Sequence, residues 1–292
     1  MAEIKRALLF INLHKTNARA LADDMIRELQ RRNIEADSFT FEGRGDFTRE
    51  GDYDIAFSLG GDGTVLFTAR VMAPLGVPII PVNLGTLGFI AAVHPGEWVP
   101  VFDRWLEGKA GISERLMLEV TVERRGEVLI RGGCLNDMVV SAAGIAKLIR
   151  LRVVSETVFP HEYMQLGQYR SDGLIVATPT GSTAYSVAAG GPILEPEMEA
   201  FIINPICPFT LSNRPLVVPA RETVFVELET EQRSGVLLTL DGQVTEPLEP
   251  GDRISIRRAP YAARLIASDR RVFYTALRTK LNWSGILGGS DA

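Results

Sequence analysis

Cysteine and histidine are scarce in this chain of 292 residues. The two cysteines, Cys134 and Cys207, stand far apart without a Cys-x-x-Cys pair, and the three histidines match no zinc-binding spacing. We therefore predict neither a disulfide nor a metal site from these residues, and we predict that both cysteines are small buried hydrophobic side chains. This composition is typical of a reduced, cytoplasmic protein.

The chain also lacks an excess of positive charge and any long apolar run. Its net charge is −5 and its pI is close to 5.4, which argues against binding to nucleic-acid backbones. The apolar run Ala7–Leu13 is too short to span a bilayer and no small-residue cleavage signal follows it. We therefore predict neither a signal peptide nor a membrane anchor. The charge is compatible with a small anionic ligand, because a phosphate site needs only local backbone donors and one or two cations.

Two common nucleotide-binding signatures are missing as well. The sequence contains neither the Gly-x-x-x-x-Gly-Lys-Ser/Thr loop nor the Gly-x-Gly-x-x-Gly dinucleotide fingerprint. A nucleotide that binds this chain must therefore use other loops.

The order of the predicted strands and helices changes along the chain. Over the first third, apolar strand-like segments alternate with amphipathic helices, which predicts a mostly parallel, Rossmann-like α/β domain at residues 1–110. From about residue 112, short strand-like pieces separated by glycine and proline predict an all-β, sandwich-like domain at residues 111–268. We predict that the partly helical tail, about 269–292, packs back on the first domain.

The first segment with clear chemistry follows the predicted strand Asp54–Leu59. The run Gly60–Thr64 reads Gly-Gly-Asp-Gly-Thr and leads into a predicted helix, which is where open α/β sheets bind ligands. Glycines allow close backbone approach, and the N–H groups of a helix start favour phosphate oxygens. The carboxylate of Asp62 would repel phosphate unless it serves a metal ion or accepts a proton, and phosphoryl transfer uses both. The alternative is a glycine-rich turn in which Asp62 caps the helix.

Two later segments offer polar groups for a nucleotide. The run Thr178–Ser186 concentrates hydroxyl groups around Tyr185, which suits nucleobase edges and ribose hydroxyls. Its alternative is a strand end followed by a helix that Ser182 or Thr183 caps. The pair Asn136-Asp137 can form hydrogen bonds with vicinal ribose hydroxyls, although both residue types are also common in turns.

Taken in order, these segments resemble the signatures of the NAD kinase family across most of the chain. Gly60–Thr64 resembles its first signature, Asn83–Phe89 its Asn-x-Gly-x-x-Gly-Phe segment, and Asp172–Pro192 its long Asp-Gly…Thr-Pro-Thr-Gly-Ser-Thr-Ala-Tyr…Gly-Gly-Pro signature. The segments Leu211–Leu216 and Leu277–Leu281 are also similar. The first loop is shared with diacylglycerol and sphingosine kinases, and in a serine variant with phosphofructokinases. The long signature is more specific, so the resemblance to the NAD kinase family rests mainly on it.

The resemblance implies an NAD site between a Rossmann-like and a β-rich domain, in a homodimer or homotetramer. It implies phosphate transfer from ATP with a divalent metal, Mg²⁺, and it makes Asp62 the base that acts on the adenosine ribose 2′-hydroxyl of NAD. No side chain is assigned as a metal ligand. The implied phosphate loop consists of Gly60, Gly61, Gly63 and Thr64. The implied NAD-binding residues are Asp62, Gly63, Asn136, Asp137, Lys147, Arg170, Asp172, Thr183, Ala184, Tyr185, Ser186, Val187, Ala188 and Gln243.

The sequence departs from the family pattern at two positions. Asp137 stands where the family usually has glutamate, which favours ribose positioning over a catalytic role for this residue. Phe209 stands where many relatives place histidine.

Two alternative functions start from the same residues. A lipid kinase of the diacylglycerol type shares the first loop but needs a basic or amphipathic surface toward the membrane, and this acidic chain has little of that. A non-catalytic nucleotide sensor would be expected to lack the loop carboxylate, whereas Asp62 is present.

Overall fold

The computed structural model describes residues 4–42, 47, 51–86, 88–144, 147–157, 160–210 and 212–282. Leu87 and Leu211 of the family segments and residues 283–292 of the predicted tail lie outside the described residues. The chain divides into two compact units. The first unit comprises Met1–Glu114 and Ala263–Ala292, and the second comprises Arg115–Ala262.

The first unit is built on a parallel sheet with the strand order β2-β1-β3-β4. These strands are β1 (Arg6–Asn12), β2 (Glu35–Phe41), β3 (Ile55–Gly60) and β4 (Ile79–Asn83). The first three helices are α1 (Ala18–Arg31), α2 (Asp62–Met72) and α3 (Trp98–Leu106), and short 3₁₀ turns lie at Ala73–Leu75 and Pro95–Glu97. The alternation of strands and helices confirms the predicted α/β organisation.

Apolar patterning explains how these elements pack. Every residue of β3 and β4 is buried, as expected for parallel strands with unbroken apolar runs. Helix α1 buries Ala18, Ala22, Met25 and Leu29, which follow one another at helical spacing, and these side chains join the β1 and β3 side chains in one core. The sheet therefore holds the carboxyl ends of β1, β3 and β4 on a rigid base.

The second unit is built from antiparallel strands. From residue 112 onward the strands are β5 (Ile112–Arg124), β6 (Glu127–Cys134), β7 (Asp137–Ala142), β8 (Ile149–Glu156), β9 (Tyr163–Ser171), β10 (Gly173–Ala177), β11 (Ala200–Ile206), β12 (Leu216–Pro219), β13 (Thr223–Leu228), β14 (Val236–Leu240), β15 (Val244–Leu248) and β16 (Arg253–Ile266). One sheet has the order β12-β11-β10-β7-β14-β15, and a second group has the order β16-β13-β8-β9, with β5 and β6 attached. The helical piece α4 (Tyr185–Ala188) follows a 3₁₀ turn at Thr180–Thr183.

Alternate side chains of both groups of strands meet in one apolar core. Met138 and Val140 of β7 lie in this core with Leu151 and Val153 of β8, and Val224 of β13 joins them. The period of two that buries these residues is the pattern of strands with only one face in the core. The all-β, sandwich-like organisation predicted for this part of the chain is confirmed.

The last helix, α5 (Arg270–Leu281), belongs to the first unit. Asp269 caps it by accepting hydrogen bonds from the N–H groups of Arg271 at 2.9 Å and Val272 at 3.1 Å. Its buried Phe273 packs against Phe89, with the ring centroids 6.4 Å apart, and Lys280 Nζ lies 5.5 Å from the centre of the Phe89 ring. The helix therefore contacts the segment that follows β4.

Some strands were missed from the sequence, and proline is one reason. Strands β11 and β15 contain Pro205 and Pro247. Proline lacks the N–H of a ladder bond, but β15 is an edge strand, and Pro205 lies beyond the part of β11 that pairs with β12. At each of these two prolines, one side of the strand therefore has no pairing neighbour in the described sheet.

The prediction for the two cysteines is half confirmed. Cys134 is buried at the end of β6, as predicted. Cys207 is exposed, so the prediction was wrong there. The chain leaves β11 at this residue with a left-handed φ of 44°, which turns the backbone away from the sheet.

Candidate active site

The Gly-Gly-Asp-Gly-Thr loop lies at the carboxyl end of β3, as the sequence predicts. Gly60 ends β3, Gly61 is the N-cap of α2 in an extended conformation, and the helix begins at Asp62. A Cβ on Gly60 would overlap the hydroxyl of Thr64 and lie 2.7 Å from its Cβ, so the tight turn requires glycine there. Asn12 at the end of β1 donates to the Thr64 hydroxyl at 3.2 Å, which joins two strand ends.

Asp62 does not cap its own helix, so that alternative interpretation was wrong. Its carboxylate instead accepts three backbone hydrogen bonds from the segment after β4. The donors are the N–H groups of Phe89 at 3.0 Å, Ile90 at 3.2 Å and Ala91 at 2.8 Å. A carboxylate has about four acceptor positions, so its orientation is fixed while acceptor capacity is left over.

The Asn83–Phe89 segment is shaped to reach this carboxylate. The side chain of Asn83 accepts from the Gly85 N–H at 2.9 Å and donates to the Thr86 carbonyl at 2.8 Å, which bends the chain after β4. A Cβ on Gly88 would overlap a carboxylate oxygen of Asp62 and lie 2.7 Å from its Cγ. The first two family-like segments therefore form a single structure around Asp62, a relation that the sequence did not reveal.

In the second unit, the hydroxyl-rich segment after β10 packs on the Asn136-Asp137 turn. Thr178 donates from its hydroxyl to the Leu135 carbonyl at 2.5 Å and from its N–H to the Asn136 carbonyl at 2.8 Å. A Cβ on Gly181 would overlap the carbonyl oxygen of Asn136 and lie 2.5 Å from its carbonyl carbon. Much of this segment's polar capacity therefore stabilises a contact between two backbone segments.

Neither Ser182 nor Thr183 caps the following helix, so the predicted capping was wrong. Helix α4 starts after Ala184, and no side-chain cap forms there. The Ser182 hydroxyl donates to the Pro179 carbonyl at 2.6 Å and accepts from the Leu194 N–H at 3.0 Å. It therefore ties the turn to a residue 12 positions later.

A cavity of about 470 Å³ opens beside this contact. Its described lining consists of Asn136, Asp137, Val139, Ser141, Ala184, Tyr185, Thr239, Asp241 and Gly242. Four of these, Asn136, Asp137, Ala184 and Tyr185, were predicted from the sequence as NAD-binding residues. Asp137 is the first residue of β7, and the chain bends at residues 135 and 136 directly before it.

The other predicted NAD-binding residues of the second unit are not among the described lining. They are Lys147, Arg170, Asp172, Thr183, Ser186, Val187, Ala188 and Gln243. Gln243 follows the lining residue Gly242 directly. Arg170 places its guanidinium 4.9 Å from the centre of the exposed Phe209 ring. A larger cavity of about 550 Å³ elsewhere in this unit is lined by none of the predicted residues. Each of its two arginines forms an ion pair with a glutamate.

Sequence reasoning missed Asp241, the most strongly connected polar residue of the lining. Its carboxylate accepts hydrogen bonds from the N–H groups of Leu135 at 2.9 Å, Asn136 at 2.7 Å and Asp137 at 3.2 Å. Its own N–H donates to the Asp137 carbonyl at 2.9 Å. The Asp-Gly pair after a strand is by itself only a turn signal, so the sequence offered nothing to separate Asp241 from other turn residues.

Two features of the turn are unusual for buried polar groups. The side-chain oxygen of Asn136 is buried and has no hydrogen-bond partner within the described part of the chain. Burial, and after it the negative charge of Asp241, raises the pKa of Asp137 from 3.8 to about 7. A buried acceptor without a partner is costly, so these groups are suited to a ligand that brings hydroxyl or amino donors.

The raised pKa of Asp137 has a consequence for stability. The folded protein binds the Asp137 proton more tightly than the unfolded chain does, because the folded pKa lies above the ordinary value. This group's contribution to the free energy of unfolding is therefore largest at low pH and falls as the pH rises from 3.8 to about 7. We expect Asp137→Asn to lack this fall. Urea unfolding of both proteins at pH 5 and pH 8 measures it, and an equal pH dependence in the two would contradict it.

Within the described residues, no group of three His, Cys, Asp or Glu side chains could hold a metal ion. No helix of the described chain has both the length and the apolar character needed to cross a membrane.

Comparison with known proteins places both units in one family. Residues 5–110 match the ATP-NAD kinase N-terminal domain, and residues 135–268 match the ATP-NAD kinase C-terminal domain. The NAD kinase of Treponema denticola is 40% identical over 283 residues, which cover 97% of this chain and 98% of that protein. The NAD kinase of Citrifermentans bemidjiense is 40% identical over 291 residues, with 96% and 99% covered.

Two solved structures share the fold. The yeast NADH kinase complexed with NADH superposes with a TM-score of 0.83 at 21% identity, covering 99% of this chain and 91% of the other. The NAD kinase from Archaeoglobus fulgidus in complex with ATP gives a TM-score of 0.71 at 24% identity, covering 93% and 96%. From the two domain matches and the full-length relatives, the chain belongs to the NAD kinase family.

Proposed function

We propose that this protein transfers the γ-phosphate of ATP to the 2′-hydroxyl of the adenosine ribose of NAD and so forms NADP. The observation that carries the proposal is the second-unit cavity, where the buried Asn136 oxygen without a described partner lies beside Asp137. Vicinal ribose hydroxyls supply the donors that these two acceptors need. Membership of the NAD kinase family supports NAD as the molecule that carries the ribose.

In this proposal Asp62 accepts the proton of the attacking 2′-hydroxyl. Its carboxylate is held by three backbone N–H groups and keeps acceptor capacity for a fourth donor. The backbone N–H groups of the glycine loop at the start of α2 hold phosphate oxygens of the donor. Fixed orientation and charge neutralisation provide most of the acceleration in phosphoryl transfer.

A divalent cation, Mg²⁺, accompanies ATP in this proposal. Mg²⁺ is usually held by one or two carboxylates together with substrate phosphates and water. No side chain of this protein is assigned as its ligand here, and the ATP phosphates and water would supply its coordination. When bound, the cation neutralises charge on the donor phosphates.

The remaining site assignments are part of the same proposal. Asp62, Gly63, Asn136, Asp137, Lys147, Arg170, Asp172, Thr183 to Ala188 and Gln243 contact NAD, and Gly60, Gly61, Gly63 and Thr64 form the phosphate loop. We also propose that the protein is a cytoplasmic homodimer or homotetramer. Its two widely separated cysteines support a reduced compartment.

Incubating the purified protein with NAD, ATP and Mg²⁺ tests the proposal through the appearance of NADP. A parallel reaction replaces NAD by diacylglycerol in vesicles, which tests the lipid kinase alternative. Absence of NADP with ATP, with other nucleoside triphosphates and with polyphosphate would contradict the proposal. Tight NADP binding without turnover would favour a nucleotide sensor.

Alanine at Gly63 is expected to separate phosphate binding from folding. A Cβ there meets no atom within 4 Å, so the fold has room for it. A phosphate group bound close to the Gly63 backbone would collide with this added Cβ. We therefore expect the KM for ATP to rise about tenfold, which corresponds to a loss of about 1.4 kcal/mol of binding free energy. Initial rates at varied ATP and a thermal melt measure both effects. Gly111→Ala, which also meets open space, is the control, and an unchanged KM in Gly63→Ala would contradict the proposed phosphate contact.

A further inference from the structure

Three loops of the first unit meet at the carboxyl edge of its sheet. Strand β3 lies between β1 and β4, and the three strands are parallel, so their carboxyl ends lie side by side. The register pairs Ile11 with Leu59 and Gly60 with Asn83. The loop after β1 therefore flanks the Gly-Gly-Asp-Gly-Thr loop on one side, and the loop after β4 flanks it on the other.

Lys15, in the loop after β1, reaches the loop after β4. A Cβ built on Gly85 would lie 3.6 Å from Nζ of Lys15 and 3.8 Å from Oδ1 of Asn83. Neighbouring strands are about 4.8 Å apart, so β1 and β4, with β3 between them, are separated by roughly 10 Å. The path from the end of β1 to the Lys15 ammonium therefore crosses the carboxyl end of β3, where the glycine loop begins.

The backbone that carries Lys15 is bonded to the glycine loop. The side-chain oxygen of Asn12 accepts from the His14 N–H at 3.0 Å, and its amide donates to the Thr64 hydroxyl at 3.2 Å. The Lys15 N–H donates to the Asn12 carbonyl at 3.1 Å, and the residue is half-buried. The fold therefore determines where this lysine lies relative to the glycine loop.

Lys15 also supplies a charge that the three loops otherwise lack. It is the one lysine or arginine in their sequences, which are residues 13–17, 61–64 and 84–91. Over the described ranges of the chain, no ion pair joins its ammonium to a carboxylate. A half-buried cation in this position favours an anionic ligand. Asp62 brings a negative charge to the same loops, so a ligand rich in phosphate needs a positive charge there.

We propose that Lys15 binds the phosphate chain of the donor nucleotide at the glycine loop. Its ammonium provides three N–H donors and one positive charge, in addition to the backbone N–H groups at the start of α2. This charge offsets the repulsion between the Asp62 carboxylate and the phosphates. The ligand class is a nucleoside triphosphate or another chain of condensed phosphates. The choice of ATP rests on the proposed function, whereas the binding of condensed phosphate does not.

The first test measures the binding of inorganic tripolyphosphate by calorimetry, without nucleotide or added Mg²⁺. We expect the dissociation constant to rise about tenfold or more in Lys15→Ala, because a hydrogen bond to a charged group is lost. Lys15→Arg keeps the charge, so its dissociation constant is expected to lie between the two. If Lys15→Ala does not fold, Lys15→Gln provides a second neutral variant.

Lys109→Ala is the matched control for the loss of one positive charge from the same unit. Lys109 is exposed, and its ammonium forms an ion pair with Glu107 at 2.8 Å. Exposed ion pairs contribute little, so we expect its stability and its tripolyphosphate affinity to equal those of the unchanged protein.

The second test measures initial rates of NADP formation at varied ATP and varied NAD. In Lys15→Ala we expect the KM for ATP to rise about tenfold or more, while the KM for NAD and the thermal midpoint stay unchanged. A purely structural role of Lys15 would instead lower the thermal midpoint and change both KM values together.

The outcomes separate this inference from the proposed function. A tripolyphosphate dissociation constant that is the same in the neutral Lys15 variants and the unchanged protein would overturn the inference, as would absence of tripolyphosphate binding to the unchanged protein. An equal KM for ATP in Lys15→Ala would overturn the assignment of Lys15 to the donor nucleotide. Absence of NADP formation by the unchanged protein would count against the proposed function, while the tripolyphosphate titrations would still decide the role of Lys15.

Discussion

Replacing Asp62 by asparagine is expected to lower kcat for NADP formation by about 10²- to 10⁴-fold, the usual contribution of a general base. Asparagine has nearly the same shape, but its amide cannot take up the proton of the 2′-hydroxyl. Its single side-chain oxygen can still accept part of the hydrogen bonding from Phe89, Ile90 and Ala91. Initial rates at saturating NAD and ATP measure the loss, and a rate within threefold of the unchanged protein would contradict Asp62 as the base.

The variant also weakens the anchoring of residues 89–91, so the two effects must be separated. Asp54→Asn is the matched control in the same unit. Its carboxylate likewise accepts backbone hydrogen bonds, from Lys5 at 2.7 Å and Arg6 at 2.9 Å, but no chemical role is proposed for it. We expect Asp54→Asn to lower the thermal midpoint while kcat stays within about threefold, since surface hydrogen bonds contribute about 1 kcal/mol.

Gly88→Ala approaches the same carboxylate from the other side. The new Cβ would overlap an oxygen of Asp62, which must then move although its chemistry is unchanged. We expect kcat to fall by at least tenfold, because a misplacement of about 1 Å can reduce a rate by about 10²-fold. Equal rates in Gly88→Ala and the unchanged protein would show that the observed position of Asp62 is not required.

The sequence predicted the loop well because the signals there are local. An apolar run, the glycines and a following helix-like segment specify a strand, a turn and a helix without reference to distant residues. The same reasoning could not predict what the Asp62 carboxylate binds. Its partners lie 27 to 29 positions later, and only the pairing of β3 with β4 brings them together.

The second unit shows a sharper limit of the same kind. Asn136 and Asp137 could be named from the sequence, but Asp241 lies 104 to 106 positions from the residues that it holds. The pairing of β14 with β7 creates that contact, and β7 was not predicted as a strand. Hydroxyl groups at 178 and 182 suggested ligand binding, yet their observed bonds are to backbone groups of the chain. A polar side chain in a sequence indicates bonding capacity, and the fold decides how much of it is left for a ligand.

Replacing Gly181 by alanine is expected to destabilise the second unit and to weaken NAD binding together. The added Cβ would lie 2.5 Å from the carbonyl carbon of Asn136 and 2.7 Å from its Cα, so the obstacle is backbone. Asn136 cannot yield easily, because Asp241 holds its N–H and Thr178 holds its carbonyl. Gly181 is also fixed, since its N–H donates to the Thr178 hydroxyl at 3.1 Å. Overpacking of this kind typically costs about 1–3 kcal/mol.

The strain from Gly181→Ala acts on the turn that carries the two proposed ribose acceptors. We expect the dissociation constant for NAD to rise by at least about tenfold, which corresponds to about 1.4 kcal/mol of lost binding. Urea unfolding gives the stability change, and calorimetry with NAD gives the affinity in the fraction that remains folded. Gly111→Ala is the control, because a Cβ there meets open space and its φ is not left-handed. Unfolding and NAD affinity equal to those of the unchanged protein would mean that the close contact between residues 181 and 136 does not shape the site. Loss of stability with unchanged NAD affinity would instead mean that the contact contributes only to folding and that Asn136 does not bind the ribose.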